Sequence, residues 1–546
     1  MQKVNKRQFF THIKICLVFW VSWSLSAQDS GIPKKWWKEA VFYQIYMPSY
    51  ADSNGDGYGD FKGMTDKLDY LKSLGVKGIW LTPFLASPKV DNGYDIADYY
   101  QVDPTYGTNE DFKVFLQSAH QKGIKVIMDM VLNHTSTDSK WFKESRKSKE
   151  NPYRDYYIWK DKPNNWESFF GGPAWEKDPA TNQYYYHKFD VRMADLNWQN
   201  PAVRDEIRRV LRFWLDMGVD GFRLDVINFL NTDGITVDNP VKDGSQQHVN
   251  DIDQPGVKDA MRLIKRTVSE YPERFIVGEI GSDKIEVLKQ YQGEDLLDVV
   301  FNFNFGSIPS FSAQRIFDEL VSMEKNMSNY PTLFFGSHDM PRMMDRLAEG
   351  KPDRAAALAA LILTAKGVPF VYYGEEIGMR NIIADNLSEI KDIQGRTHYK
   401  LAIDQGKTSE EALLEANKNN RDKSRSPMQW NNKPFAGFSD KTSWIKVSPD
   451  YRDINVARLE KEKLSLLQTY KELITLRNRE RVLQYGTYET LEFNDNRLVF
   501  TRTLGNDKIT VVIRFGTKES EPVPAKAEIL LKSKAGSTDS FLIFRN

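Results

Sequence analysis

Four short apolar runs in this chain each end in ionisable residues. "DMVLNH" carries Asp129, Asn133 and His134, "GFRLD" carries Arg223 and Asp225, "VGE" ends in Glu279, and "SHD" supplies His338 and Asp339. Taken singly, each has an ordinary explanation. A lone Asp at a strand end caps a helix or a turn, a lone Glu after Gly is solvated, and a lone His is a hydrogen-bonded structural group. Taken together they do not. Asp225, Glu279 and Asp339 gathered at one place repel one another, and burying them costs stability unless partners compensate. Arg223 and Asp225 stand two apart, so on a strand they share a face. The chemistry that needs paired carboxyl groups is cleavage of a glycosidic bond. One group must be ionised to attack the anomeric carbon, and Asp225 suits this because Arg223 favours its charged form. The other must hold a proton for the leaving oxygen, and Glu279 suits this because nearby carboxylates raise its pKa. Asp339 adds a third negative group facing an oxocarbenium-like transition state.

These residues need elements that bring them to one mouth. Strand-like runs occur at 41–46, 78–82, 125–131, 221–227, 275–280, 298–303, 332–337 and 369–374. Between them lie amphipathic stretches such as "NEDFKVFLQSAHQKG" and "NPAVRDEIRRVLRFWLDMG", with apolar residues three to four apart and a closing Gly. Eight buried strands alternating with helices predict a (β/α)8 TIM barrel, whose site forms at the C-terminal strand ends. An open doubly wound sheet would show a Gly-rich phosphate turn after its first strand, and none is present. A long aromatic insertion, 135–197, breaks the alternation after the third strand, and insertions of this length in compact domains are usually functional. The expected organisation is barrel over 28–134 and 198–481, an inserted domain over 135–197, and a C-terminal antiparallel β-sandwich over 482–546.

Lys plus Arg equals Asp plus Glu, 75 each, which argues against a nucleic-acid partner. Lys3, Lys6, Arg7 and Lys14 precede the short apolar run "ICLVFWVSWSLSA", which ends in Ala27 at a cleavable position. Residues 1–27 therefore read as a signal peptide and the mature chain as exported, periplasmic or secreted, without a membrane span. The single cysteine, Cys16, lies inside that segment, so the mature chain carries no disulfide. "DSNGDGYGD" at 52–60 places oxygen ligands on Asp52, Asn54, Asp56 and Asp60, and reads as a cation loop rather than an Asp/Gly turn. It lacks the acid an EF-hand has at its twelfth position, since Gly63 stands there.

The four motifs, in order and rough spacing, resemble those of the α-amylase superfamily of glycoside hydrolases, family 13. The likeness covers nearly the whole mature chain, with 135–197 resembling its domain B and the tail its domain C. It implies Asp225 as nucleophile, Glu279 as acid/base and Asp339 as transition-state stabiliser, with His134, Arg223 and His338 binding the glucose. Ser337 and Met340 depart from the fourth motif, which usually has Asn before His-Asp and a polar residue after it. The loop at 52–60 lies where relatives hold one structural Ca²⁺ or Mg²⁺, which implies the Tyr58 carbonyl as a further ligand. "DNGYDIADY", "MADLNWQNP", "FFGGPAW" and "RSPMQW" resemble the oligo-1,6-glucosidase and α-glucosidase branch. There Asp95 and Arg425 would grip the non-reducing end, Tyr94 would stack on the sugar, and Val226 after the nucleophile would favour α-1,6 linkages. The resemblance thus implies an exo-acting retaining α-glucosidase on isomalto-oligosaccharides. An α-1,4-glucosidase, an isomerase such as trehalose synthase or sucrose isomerase, and a non-catalytic binding relative are the alternatives.

Overall fold

The computed structural model describes residues 34–233, 237–327, 329–518 and 521–545. The expected signal peptide and Cys16 lie outside them. The sheet at the centre comprises β1 (Phe42–Ile45), β2 (Gly78–Leu81), β3 (Lys125–Val131), β4 (Gly221–Asp225), β5 (Phe275–Gly278), β6 (Val299–Val300), β7 (Thr332–Leu333) and β8 (Val368–Tyr372). All are parallel, in the order β6-β5-β4-β3-β2-β1-β8-β7, so the eight expected strands are the eight observed. Apart from Lys125 at the start of β3, every residue in them is buried, which is why these segments read as continuous apolar runs and not as alternating ones.

The barrel interior is filled by aromatic rings. Phe42 stacks on Phe370 at 4.7 Å and on Phe275 at 5.3 Å, and Trp80 meets Phe301 at 5.2 Å. Trp37, just before β1, closes the bottom by stacking on Phe275. Gly221 opens β4 because a Cβ there would lie 1.9 Å from the Phe275 carbonyl oxygen, and its φ of +155° keeps the strands close. Among the described residues β6 and β7 share no ladder. Thr332 bridges that seam instead: its hydroxyl donates to the Val300 carbonyl at 3.2 Å and accepts from the Asn302 amide at 3.1 Å.

The helices follow their sequence signals. α1 (Phe61–Asp66) is capped by Asp60, whose carboxylate accepts from the Gly63 amide. α2 (Asn109–Gln121) starts with a Thr108–Asp111 capping box, and α3 (Pro201–Met217) has Asn200 as cap and Pro201 in its first turn. α3 ends at Gly218 in the left-handed region.

The insertion leaves the barrel on a two-stranded ladder, His134–Ser136 against Met193–Asp195, with Asp195 opposite His134. A three-stranded sheet, 159–160, 175–178 and 183–186, packs Trp166, Trp175 and Tyr186 into a core of its own. The C-terminal region departs from the expectation. Strands β9 (Thr487–Asn494), β10 (Arg497–Leu504), β11 (Asp507–Arg514), β12 (Glu528–Lys532) and β13 (Ser540–Arg545) form one antiparallel sheet, not a sandwich, among the described residues. Its second layer is supplied by barrel helices α4 (Pro352–Thr364), α5 (Leu466–Arg479) and α6 (Arg481–Tyr485). Arg502, fully buried, fastens the two layers by donating to the carbonyls of Thr364 and Gly486. A sheet already covered by helices needs no partner sheet to bury its apolar face.

The seam gives a test of this architecture. Thr332→Val keeps the shape but leaves the buried Asn302 amide without an acceptor. Unfolding in urea should then show a loss of about 1–3 kcal/mol, the cost of an unsatisfied buried donor. An unchanged midpoint would show that the seam does not hold the barrel.

Candidate active site

Strand register brings the charged ends together. Arg223 on β4 lies directly opposite Asp129 on β3, and Glu279 follows β5, with its amide bonded to the Leu224 carbonyl. One guanidinium then holds three carboxylates. Arg223 Nη1 donates to Asp129 and to Asp225, both at 2.7 Å, and Nη2 donates to Glu279. The Asp225 and Glu279 carboxyl groups, held by the two Nη atoms of one guanidinium, are neighbours, and Asp225 raises the proton affinity of Glu279. Beneath them Trp80 presents its ring face 5.2 Å from Arg223 Cζ and donates its indole N–H to Asp129.

One guanidinium cannot neutralise three buried carboxylates, so a proton must remain among them. Burial pushes Glu279 up to about 8, with Asp225 and Asp339 raising it further against the pull of Arg223. Burial also raises Asp225, and here Arg223 does not win as the sequence reading expects. Asp339 differs. Burial raises it, yet His338 and the guanidiniums of Arg421 and Arg425 hold it well below the usual carboxylate range. His338 itself is pushed down to about 3, chiefly by burial, so at neutral pH the two arginines carry the positive charge. Gln44 Nε2 donates to His338 Nδ1 at 2.8 Å, which places the imidazole proton on Nε2, facing Tyr94 Oη at 2.6 Å and Asp339 at 3.1 Å. The Tyr94 ring stacks on His338 with an interplanar angle of 2°. His134 is also neutral, lowered to about 4 by burial, with Nε2 bonded to the Tyr94 carbonyl.

Above this cluster lies a cavity of about 220 Å³. Asp225, Glu279, Asp339, Tyr94, His134 and Val226 all line it. Four expected residues do not: Arg223 and His338 are buried behind the lining, and Asp95 and Arg425 are turned elsewhere. Asp95 is fully buried and turned away, its carboxylate accepting from the amides of Val90 and Asp91. Arg425 lies behind the wall, donating Nε to the His338 carbonyl and Nη2 to Asp339. Their places at the end of the cavity are taken by Asp91 and Arg421. Arg421 bonds Asp91 at 2.5 Å, Asp392 at 2.6 Å and Asp339 at 3.4 Å. The string "DNGYD" contains both acids, whereas "RSPMQW" begins at Arg425 and leaves out Arg421 four residues earlier, and only the path of each loop decides which member faces inward. Ser337 accepts the Asp339 amide through its hydroxyl, and buried Met340 accepts from the Ser307 hydroxyl through sulfur. Val226 sits at φ +34°, ψ +46°, a left-handed conformation that costs a β-branched residue about 1–3 kcal/mol.

The loop at 52–60 is a separate structure. Asp52 accepts from the amides of Asn54, Gly55 and Gly57, and Asp56 from that of Tyr58. Asp60 is committed to Ser53 and to its role as helix cap. Among the described residues no group of three acidic, His or Cys side chains converges as a metal site. Asp52, Asn54 and Asp56 keep oxygen donors toward solvent, and that all-oxygen set suits a hard cation.

A parallel barrel whose mouth gathers Asp225, Glu279 and Asp339 around one cavity has the paired carboxyl groups that cleavage of a glycosidic bond needs, the mark of a glycoside hydrolase. The chain belongs to the α-amylase family: the family's catalytic-domain model matches residues 44–486. It is 39% identical over 514 residues to the oligo-1,6-glucosidase of Parageobacillus thermoglucosidasius, covering 88% of this chain and 91% of that protein. It is 38% identical over 532 residues to the trehalose-6-phosphate hydrolase of Bacillus subtilis, covering 91% and 94%. The isomaltulose synthase structure from Klebsiella sp. LX3 superposes with a TM-score of 0.88 at 34% identity, covering 94% of this chain and all of that one.

Proton donation requires neutral Glu279, so kcat/KM on an unactivated glucoside should fall as pH rises through about 8. Glu279→Gln should abolish that alkaline limb and lower the rate by about 10²–10⁴-fold. A limb that survives in the variant would assign the proton to another group.

Proposed function

We propose that this protein is an exo-acting, retaining α-glucosidase that releases glucose from the non-reducing end of α-1,6-linked gluco-oligosaccharides. The observation that carries this reading is the lining of the cavity: Asp225 and Glu279, held side by side on the two Nη atoms of Arg223, border it, and so does the bonded pair Asp91 and Arg421. Carboxyls this close leave no room for the intervening water of an inverting enzyme. Asp225 attacks the anomeric carbon while Glu279 passes its proton to the glycosidic oxygen. Glu279, now a carboxylate, then takes a proton from the water that releases the sugar. Asp339, kept ionised by its arginines, faces the positive charge that develops between these states. Asp91 and Arg421 can accept from and donate to the terminal sugar hydroxyls, so no further unit fits beyond them.

The α-1,6 preference rests on Val226, whose side chain borders both this cavity and the space beyond Glu279, and on the oligo-1,6-glucosidase relatives. The walls of that outer space offer one guanidinium, Arg315, balanced by the carboxylate of Asp283, which favours a neutral leaving group over a phosphorylated one. We also propose that the loop at 52–60 holds Ca²⁺ or Mg²⁺ through Asp52, Asn54, Asp56 and the Tyr58 carbonyl, bracing the connection between β1 and α1 without a part in bond cleavage. The leader over 1–27 completes the proposal of an exported enzyme.

Glucose should be the first small product from an isomalto-oligosaccharide, released as the α-anomer. Asp91→Ala should lower kcat/KM by about 1.5–3 kcal/mol, the range for a hydrogen bond to a charged group. Early isomaltose, or β-glucose in a time-resolved NMR spectrum, would refute exo-action or retention respectively. Chelation should lower the melting temperature and added Ca²⁺ restore it; indifference to both would refute the cation loop.

A further inference from the structure

Gln44 lies in the middle of β1, two residues after Phe42 and on the same inward face. Across the ladder it stands beside Trp80 of β2 and Tyr372 of β8. Only 1% of it is exposed, and it contributes nothing to the lining of the cavity, so no sugar touches it. A buried amide is costly without a partner, and its partner is His338 Nδ1 at 2.8 Å. A chain of hydrogen bonds continues from there. His338 Nε2 faces Tyr94 Oη at 2.6 Å and Asp339 Oδ2 at 3.1 Å. The Tyr94 hydroxyl reaches Asp129 Oδ2 at 3.1 Å, and the same oxygen accepts the Trp80 indole N–H at 3.2 Å. A neutral imidazole has one N–H and one lone pair, so the direction of the first link sets all the others. With Gln44 donating, the proton sits on Nε2 and points at Tyr94 and Asp339, and the Tyr94 hydroxyl is left to donate to Asp129. With the amide turned over, Nδ1 would carry the proton. Nε2 would then aim a lone pair at the Asp339 carboxylate, and the Tyr94 hydroxyl would leave Asp129 for Nε2. Two carboxylates would each lose a donor that favours their charged form.

We propose that Gln44 is a positioning residue: by donating to His338 Nδ1 it fixes the direction of this chain, so that Asp129 and Asp339 each receive a donor and the proton of the mouth is left to Glu279. Asp129 shares the Arg223 guanidinium with Asp225 and Glu279, so an Asp129 short of donors competes with Glu279 for that proton. Asp339, facing a lone pair in place of an N–H, loses part of what keeps it anionic beside the developing positive charge. The amide thus acts at a distance on both acids, through one ring and one hydroxyl, without touching substrate. Its effect on turnover rests on the α-glucosidase reading above; the direction of the chain does not.

The test reads the proton directly. With the histidine ring nitrogens isotope-labelled, NMR of the wild-type protein near neutral pH should show His338 with a bare Nδ1 and a protonated Nε2, its signals assigned by their loss in His338→Asn. Gln44→Glu replaces the donor by an acceptor of nearly the same shape and should place a proton on Nδ1. On p-nitrophenyl α-glucoside this variant should lose about 10²-fold in kcat, the scale of removing one preorganised donor. KM should stay within about 3-fold, because no ground-state contact to the sugar is removed. A protonated Nδ1 in the wild-type protein would overturn the proposal, and that measurement needs no variant to fold. A bare Nδ1 retained in Gln44→Glu, or an unchanged kcat once Nδ1 is protonated, would overturn it as well. If the wild-type protein leaves every α-glucoside untouched while the His338 proton still moves in Gln44→Glu, the α-glucosidase reading fails and the assignment of Gln44 as the group that directs the chain stands.

Discussion

The guanidinium of Arg223 is the constraint on which the site depends. It is fully buried at the barrel mouth and bonded at once to Asp129, Asp225 and Glu279. Without it three carboxylates would share a dry space with no counter-charge, an arrangement that proteins avoid by protonation or rearrangement. With it they are still two positive charges short, which favours keeping a proton on Glu279, the group whose proton affinity is raised most. The catalytic protonation state is thus a consequence of charge counting inside a closed barrel.

The barrel serves that guanidinium. Parallel pairing of β3 with β4 sets Arg223 opposite Asp129, and the Trp80 indole below supplies both a ring face and a donor. Beneath that, rings from β1, β2, β5 and β8 pack the interior so that the polar layer has a solid, water-free floor. A second positive tier, Arg421 and Arg425, comes from the long connection after β8 and holds Asp339 ionised. Two carboxylates of one mouth are thereby driven in opposite directions: burial and the neighbouring carboxylates carry Glu279 upward against Arg223, while His338 and the arginines outweigh burial at Asp339.

The additions to the barrel shape access. The inserted domain is tied to β3 by the ladder at His134 and Asp195, where Asn133 also bonds Asp195, so its aromatic turn is registered to the catalytic strand. Phe169, Phe170 and Phe189 from this domain wall the cavity above the carboxylates. The C-terminal sheet lies against barrel helices and contributes no residue to the cavity lining.

Much of this was legible in the residues. Strands buried on both faces must be nearly all apolar, so the eight runs stood out, and a charge at the end of such a run can only lie at a mouth. The gathering of Asp225, Glu279, Asp339, Arg223 and the two histidines at one mouth followed from that alone. Other features were not legible, for identifiable reasons. Asp91 and Asp95 sit four apart in one loop, as do Arg421 and Arg425 in another, and side-chain direction in a loop depends on how the turn closes rather than on any period. The raised pKa of Asp225 reflects burial outweighing a neighbouring arginine, and burial is a sum over distant segments. The C-terminal strands read as a sandwich because their pattern demands a second layer, and only packing reveals that the layer is helical. The sequence by itself determined the chemistry available and the strands that carry it, because those depend on residue type and local periodicity. The tertiary structure decided which charges meet, which loop residues shut the pocket and which carboxyl keeps the proton, because these depend on distances between segments far apart in the chain.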